Sequence, residues 1–227
     1  MCGRFTLTVD TADLQEAFAG FQFPANVAPR YNIAPSQPVL VLPNDGKNRA
    51  DFFTWGLVPA WAKDPTIGMR MINARAETLA EKPSFRGPFR YKRCLIPADG
   101  FYEWKAAKPG EQFKTPYYIH MQEHRPFAFA GLWDEWLGPD GSQVKTCTII
   151  TTTPNLLMSS LHERMPVILD PKDYATWLNP AACQPGELQD LLKAYPAETM
   201  AAYPVSRMVN NAKMDSPQMI QPEQAGG

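Results

Sequence analysis

Twenty-three of the 227 residues are proline, about twice the average share of roughly 5%. Proline lacks a backbone N–H and fixes its own φ, so a chain punctuated this often favours short strands and rigid loops over long helices. With 44% hydrophobic and 20% charged residues, the chain still has enough apolar material for a sizeable core. The length fits one domain, expected over residues 1–215, with a tail over 216–227.

Alternation supplies the strands. Phe5, Leu7 and Val9 share one face, and Arg4, Thr6 and Thr8 the other, which is the period of a half-buried strand with Cys2 on the face of Arg4. A short helix capped by Asp10 or Thr11 follows, with Leu14, Ala17 and Phe18 apolar and Gly20 at its end. Val39 to Leu42 and Phe52 to Leu57 read as strands joined around Asp45-Gly46. Pro59 to Arg93 is irregular apart from a helical stretch near Ala74 to Ala80. Strands return at Cys94–Pro97, Phe101–Trp104, Tyr117–Met121, Phe127–Leu132 and Val144–Thr152. Late helices start at Pro171, capped by Asp170, and near Gly186. The class is therefore α+β, mainly β.

The formal net charge is −1, so no strongly basic balance points to nucleic acid. Residues 63 to 93 are locally basic, with Lys63, Arg70, Arg75, Lys82, Arg86, Arg90, Lys92 and Arg93 against Asp64, Glu77 and Glu81. That stretch is either a phosphate-facing patch or a solvated, paired surface. Cys2, Cys94, Cys147 and Cys183 are far apart in sequence, with no C-x-x-C pair and only three histidines to join them, so no zinc site is expected. Cys94 and Cys147 read as core residues on strands. With no signal peptide and no long apolar run, a soluble cytoplasmic protein in a reducing compartment is expected. No phosphate-cradling glycine loop is present.

Several positions carry chemistry. Removal of Met1 before the small residue Cys2 leaves an amine and a thiol on adjacent carbons, a 1,2-aminothiol that traps aldehydes. Glu103, in Asp99-Gly100-Phe101-Tyr102-Glu103-Trp104, shares a face with Phe101. Burial there would raise its pKa and suit it to proton transfer, whereas an edge-strand carboxylate would merely pair with Lys105. His162, between a short helix and an apolar strand, is a candidate acid or base or a packed structural imidazole. Asn73 and Arg75 offer an amide and a guanidinium two residues apart, fit for a sugar hydroxyl and a phosphate, although Asn73 alone would cap a helix beginning at Ala74. Trp61 and Trp104 are candidate platforms for unpaired bases. His120 and His124 read as ordinary strand or surface residues.

Met1-Cys2-Gly3-Arg4-Phe5, Tyr31-Asn32-Ile33-Ala34-Pro35, Trp55-Gly56-Leu57-Val58-Pro59, Asn73-Ala74-Arg75-Ala76-Glu77-Thr78, Gly100-Phe101-Tyr102-Glu103-Trp104 and His162-Glu163-Arg164-Met165-Pro166 together resemble the SRAP family of SOS-response-associated peptidases, or abasic-site processing proteins. Val205-Ser206-Arg207-Met208-Val209-Asn210-Asn211 is similar to the family's ending. The resemblance implies twisted antiparallel sheets forming a pseudo-barrel with a few short helices, and covalent capture of abasic sites in single-stranded DNA during the damage response. It assigns Cys2 as nucleophile, Asn73 to orient the sugar, Glu103 to handle the amine proton and His162 to assist ring opening. Arg4, Arg75 and Arg164 would bind phosphates, with Asn32, Trp61, Arg86, Trp104 and Thr151 as further groove contacts. The chain departs from the pattern at Trp61-Ala62 and an insertion-like Asp64 to Met69. No cofactor is implied, and a monomer is expected. A thiol peptidase using Cys2 and His162, and a non-covalent single-strand binder, are the competing readings.

Overall fold

A computed structural model describes residues 2–107, 109–110, 112–181 and 185–223. Among the described residues, thirteen strands and five short α-helices alternate with short 3-10 helices. The strands are β1 (Phe5–Leu7), β2 (Arg30–Ile33), β3 (Pro38–Pro43), β4 (Asp51–Trp55), β5 (Asn73–Arg75), β6 (Arg93–Ala98), β7 (Gly100–Lys105), β8 (Thr115–Met121), β9 (Phe127–Leu137), β10 (Gln143–Thr152), β11 (Met165–Pro166), β12 (Ile168–Leu169) and β13 (Met200–Pro204). The helices are α1 (Thr11–Ala17), α2 (Pro83–Tyr91), α3 (Leu156–Ser159), α4 (Tyr174–Leu178) and α5 (Pro185–Asp190). The mainly β class and the pseudo-barrel are both present.

One sheet runs β13-β8-β7-β1-β2. In the other, β3, β4, β10, β9 and β6 pair in turn and close on one another as a five-stranded barrel. Most pairings are antiparallel, as expected, but β10 runs parallel to β4 and, further along, to β5. β10 thus carries β4 and β5 in pairing, while β9 and then β11 pair with it antiparallel. This sharing of one long strand brings Asn73, Thr151 and the residues just before Met165 together.

The core lies between the barrel and the first sheet. Phe5 meets Trp55 and Phe129 edge-on at centroid distances of 5.2 and 5.7 Å, and Phe101 meets Phe129 at 5.9 Å. The opposite face of the first sheet is also covered, because Tyr102 and Tyr118 pack with Val205 and Val209. β1 is therefore buried on both faces, not half-buried as its alternation suggests; Thr6 has no exposure and donates to Asp99.

Other expectations need correction. Asn73 begins a strand, not a helix, and the only helical geometry in its motif is a single 3-10 turn at Ala76–Thr78. The irregular stretch contains α2, entered through Pro83 and carrying Pro88 inside it. Arg93 leaves the basic patch entirely: it is buried and donates to the carbonyls of Phe89, Arg90, Trp177 and Asn179. Lys92 is paired with Asp134 at 2.6 Å. The stretch expected as a tail packs against the body as far as Glu223, with Met219 buried and Tyr203 Oη donating to the Ile220 carbonyl. His120 is buried, and the His124 ring stacks on it at 4.4 Å. Cys94 and Cys147 are buried core thiols as expected, while Cys183 lies outside the described residues. No helix among the described residues is long and apolar enough to cross a membrane.

Candidate functional site

Cys2 is placed by the pairing of β1 with β7. Phe5 lies opposite Phe101 and the Tyr102 N–H donates to the Arg4 carbonyl, so the chain running back from Phe5 follows β7 toward Glu103. The Cys2 thiol is buried and points at the Arg4 carbonyl oxygen, 3.9 Å away. Burial first, and the neighbouring Glu103 carboxylate second, push its pKa far up, so the sulfur is held as a neutral thiol.

Glu103 is 2% exposed, on the same side of β7 as Phe101. Burial raises its pKa above 4.5, and nearby positive charge, including that of His162, opposes the rise. A desolvated carboxylate within reach of a thiol and an imidazole is suited to accept and return a proton.

Asn73 reaches the same point from β5, whose parallel pairing with β10 puts it opposite Ile149. Its Nδ2 donates to the Cys2 carbonyl at 2.8 Å, and its Oδ1 is buried with no hydrogen-bond partner among the described residues. His162 follows α3, whose Asn155 cap accepts from the Met158 N–H. The Arg164 backbone N–H donates to His162 Nδ1 at 3.0 Å, so a neutral ring carries its proton on Nε2. The structure therefore brings Cys2, Asn73, Glu103 and His162 into one cluster.

The residues expected at DNA divide into two groups. Arg75 and Arg86 are exposed on β5 and α2, and Trp61 is 60% exposed beside Lys63, Met69 and Arg70, which line a surface hollow of about 420 Å³ with it. The others already have partners within the protein. Arg4 donates to Asn32 Oδ1 at 2.8 Å and to the carbonyls of Val209 and Asn210. Asn32 is fully buried, and its Nδ2 faces the carbonyls of Val209, Asn211 and Met214. Trp104 Nε1 donates to Asn210 Oδ1. Thr151 is buried, and its carbonyl accepts from Arg164 Nη2 at 2.6 Å. The Arg164 guanidinium also grips the Glu77 carboxylate at 2.6 and 2.9 Å.

Sequence reasoning assigned no role to Glu77, although it stands inside the Asn73–Thr78 motif. Its partner lies 87 residues away, and no local spacing announces the pair. The carbonyls of Val209, Asn211 and Met214 were likewise missed, since backbone acceptors leave no sequence signature.

The chain resembles known proteins over nearly its whole length. The profile of the family described as SOS response associated peptidase (SRAP) matches residues 1–212. The chain is 52% identical over 224 residues to the abasic site processing protein YoqW of Bacillus subtilis (strain 168), covering 97% of this chain and 99% of that one. It is 33% identical over 270 residues to the abasic site processing protein HMCES of Gallus gallus, covering 100% of this chain and 79% of that protein. A crystal structure of a protein from Bacteroides thetaiotaomicron superposes with a TM-score of 0.87 at 28% identity, over 98% of this chain and 100% of that one. With sequence and fold in agreement along nearly its whole length, the chain belongs to the SRAP family.

Proposed function

We propose that this protein processes abasic sites in DNA, capturing them in single strands as a covalent thiazolidine on the mature N-terminal Cys2. The observation that carries the reading is that the buried Cys2 thiol neighbours the buried Glu103 carboxylate while the Asn73 amide holds the Cys2 carbonyl. The names of the relatives YoqW and HMCES point to the same substrate.

In this scheme hydrolysis of the Met1–Cys2 peptide bond frees the α-amine. An abasic deoxyribose opens to its aldehyde as His162 Nε2–H protonates the departing ring oxygen and the C1 hydroxyl gives its proton to water. Glu103 takes the ammonium proton, the free amine adds to the aldehyde carbon, and water leaves to give the imine. Cys2 Sγ then adds to the same carbon while its proton passes to nitrogen, closing a five-membered ring. The neutral thiol suits this order, because it attacks only after the imine has formed. The imine also opens a route to strand cleavage by β-elimination. Single strands bear no unpairing cost, which favours them over duplex, and exposed Arg75, Arg86 and Trp61 offer phosphate and stacking contacts.

A thiol peptidase would instead use a thiolate paired with an imidazolium. Burial and the Glu103 charge oppose thiolate formation. Incubation with abasic, intact and duplex oligonucleotides, followed by denaturing electrophoresis, separates the readings. A retarded band is expected with the abasic single strand and should vanish when an alkoxyamine caps the aldehyde. Equal affinity for intact and abasic strands with no stable band would instead indicate a non-covalent binder.

A further inference from the structure

We infer that Glu77 is a positioning residue, which sets the orientation of the His162 imidazole by holding Arg164. The inference rests on the proposed role of His162 in ring opening and adds to it a residue that touches no substrate.

Glu77 sits on the 3-10 turn that leaves β5, and Arg164 immediately precedes β11. Both β5 and β11 pair with β10 near Thr151, which lies opposite Arg75 in one ladder and Pro166 in the other. The Glu77–Arg164 pair closes this gap with two hydrogen bonds, and Arg164 Nη2 adds a third to the Thr151 carbonyl. A bidentate carboxylate–guanidinium pair fixes direction as well as distance. The Arg164 side chain is only 13% exposed, so it cannot turn into water without leaving this seat.

The consequence reaches His162 through the backbone. The Arg164 peptide N–H is the donor to His162 Nδ1, so anchoring the Arg164 side chain anchors the group that keeps the proton on Nε2. The pair also ties His162 to β5, whose Asn73 holds the Cys2 carbonyl. Glu77 takes Nη1 and Nη2 of the Arg164 guanidinium, and Nε has no hydrogen-bond partner among the described residues. Exposed Arg75, two residues before Glu77, adds a longer-range attraction to the same carboxylate.

Two measurements on Glu77→Gln test the inference. Long-range ¹H–¹⁵N NMR of the free protein, with the His162 signal identified by its loss in His162→Gln, should give the Nε2–H tautomer in wild type and a tautomer mixture in the variant. Adduct formation at saturating abasic single strand should slow by roughly tenfold, less than the ~10⁴ lost when the orienting carboxylate of a serine-protease triad is removed. Affinity and its salt dependence should stay within about twofold, since no phosphate contact is removed. Glu77→Asp should restore part of the rate, and Arg164→Lys, which keeps the charge but not the fork, should reproduce the tautomer mixture if the first variant folds poorly. An unchanged tautomer and rate in Glu77→Gln would overturn the inference. So would tighter, more salt-sensitive binding at an unchanged rate, which would make Glu77 a competitor of phosphate. Failure of wild type to form any adduct would sink the crosslinking reading separately, because the tautomer is read without DNA and still decides whether Glu77 sets the ring.

Discussion

Asn73 Nδ2 donates to the Cys2 carbonyl oxygen at 2.8 Å, joining β5 to the residue that becomes the chain terminus once Met1 is removed. Two strand pairings support this contact: β7 guides Cys2, and β10 holds β5 in register.

Removing that donor should displace the nucleophile without unfolding the protein. Leaving the Cys2 carbonyl without its donor costs about 1–3 kcal/mol, so Asn73→Ala is expected to slow adduct formation by roughly ten- to hundredfold. Single-turnover kinetics should locate the loss in the chemical step, with little change in oligonucleotide affinity.

Glu103 couples function to a cost in stability. Its folded pKa lies above 4.5 because burial disfavours the ion. The folded state therefore holds its proton to higher pH than the unfolded chain, and the group's contribution is full at low pH and lost as pH rises through the raised value. Glu103→Gln should melt progressively higher than wild type as pH rises above 4.5. The same variant should lose about 10²–10⁴ in adduct rate as its proton acceptor disappears.

His120 gives the opposite slope. Burial lowers its pKa below 6.5, and His124 stacked on it adds to the effect. The unfolded chain takes up this proton first, so stability is lost as pH falls through 6.5 toward the lower folded value. His120→Phe should flatten that part of the profile in melting experiments across the acidic range, while adduct formation at neutral pH changes little.

Asn32, expected as a groove contact, also clasps the C-terminal segment. It is buried and meets Arg4 and three carbonyls of the C-terminal segment. Asn32→Ala should cost about 3 kcal/mol through these orphaned groups. Hydrogen exchange should accelerate over residues 206–215, and the salt dependence of DNA binding should not change.

Much of this architecture was legible because alternation and turn residues are local signals. Glu103 shares the face of Phe101 as the period of two requires, and Asp10 caps α1. The misreadings involve features decided by distant partners. Asn73-Ala74-Arg75 resembles a helix start until β10 supplies parallel hydrogen bonds, and α2 is masked by Pro83, Gly87 and Pro88. Arg93 counts as surface charge in any tally of the sequence, yet four backbone carbonyls draw it inside. The cluster itself was assembled from motifs, whereas the Glu77–Arg164 pair and the packing of Met219 needed the fold.

Intact-mass spectrometry of the purified protein, alone and with an abasic single-stranded oligonucleotide, tests the central claim most directly. The free protein should lack Met1, and the mixture should contain a species equal to protein plus oligonucleotide minus one water, mapped to Cys2 and absent in Cys2→Ala. Retention or acetylation of the N-terminus in protein that still forms the adduct, or an undiminished adduct in Cys2→Ala, would contradict the account.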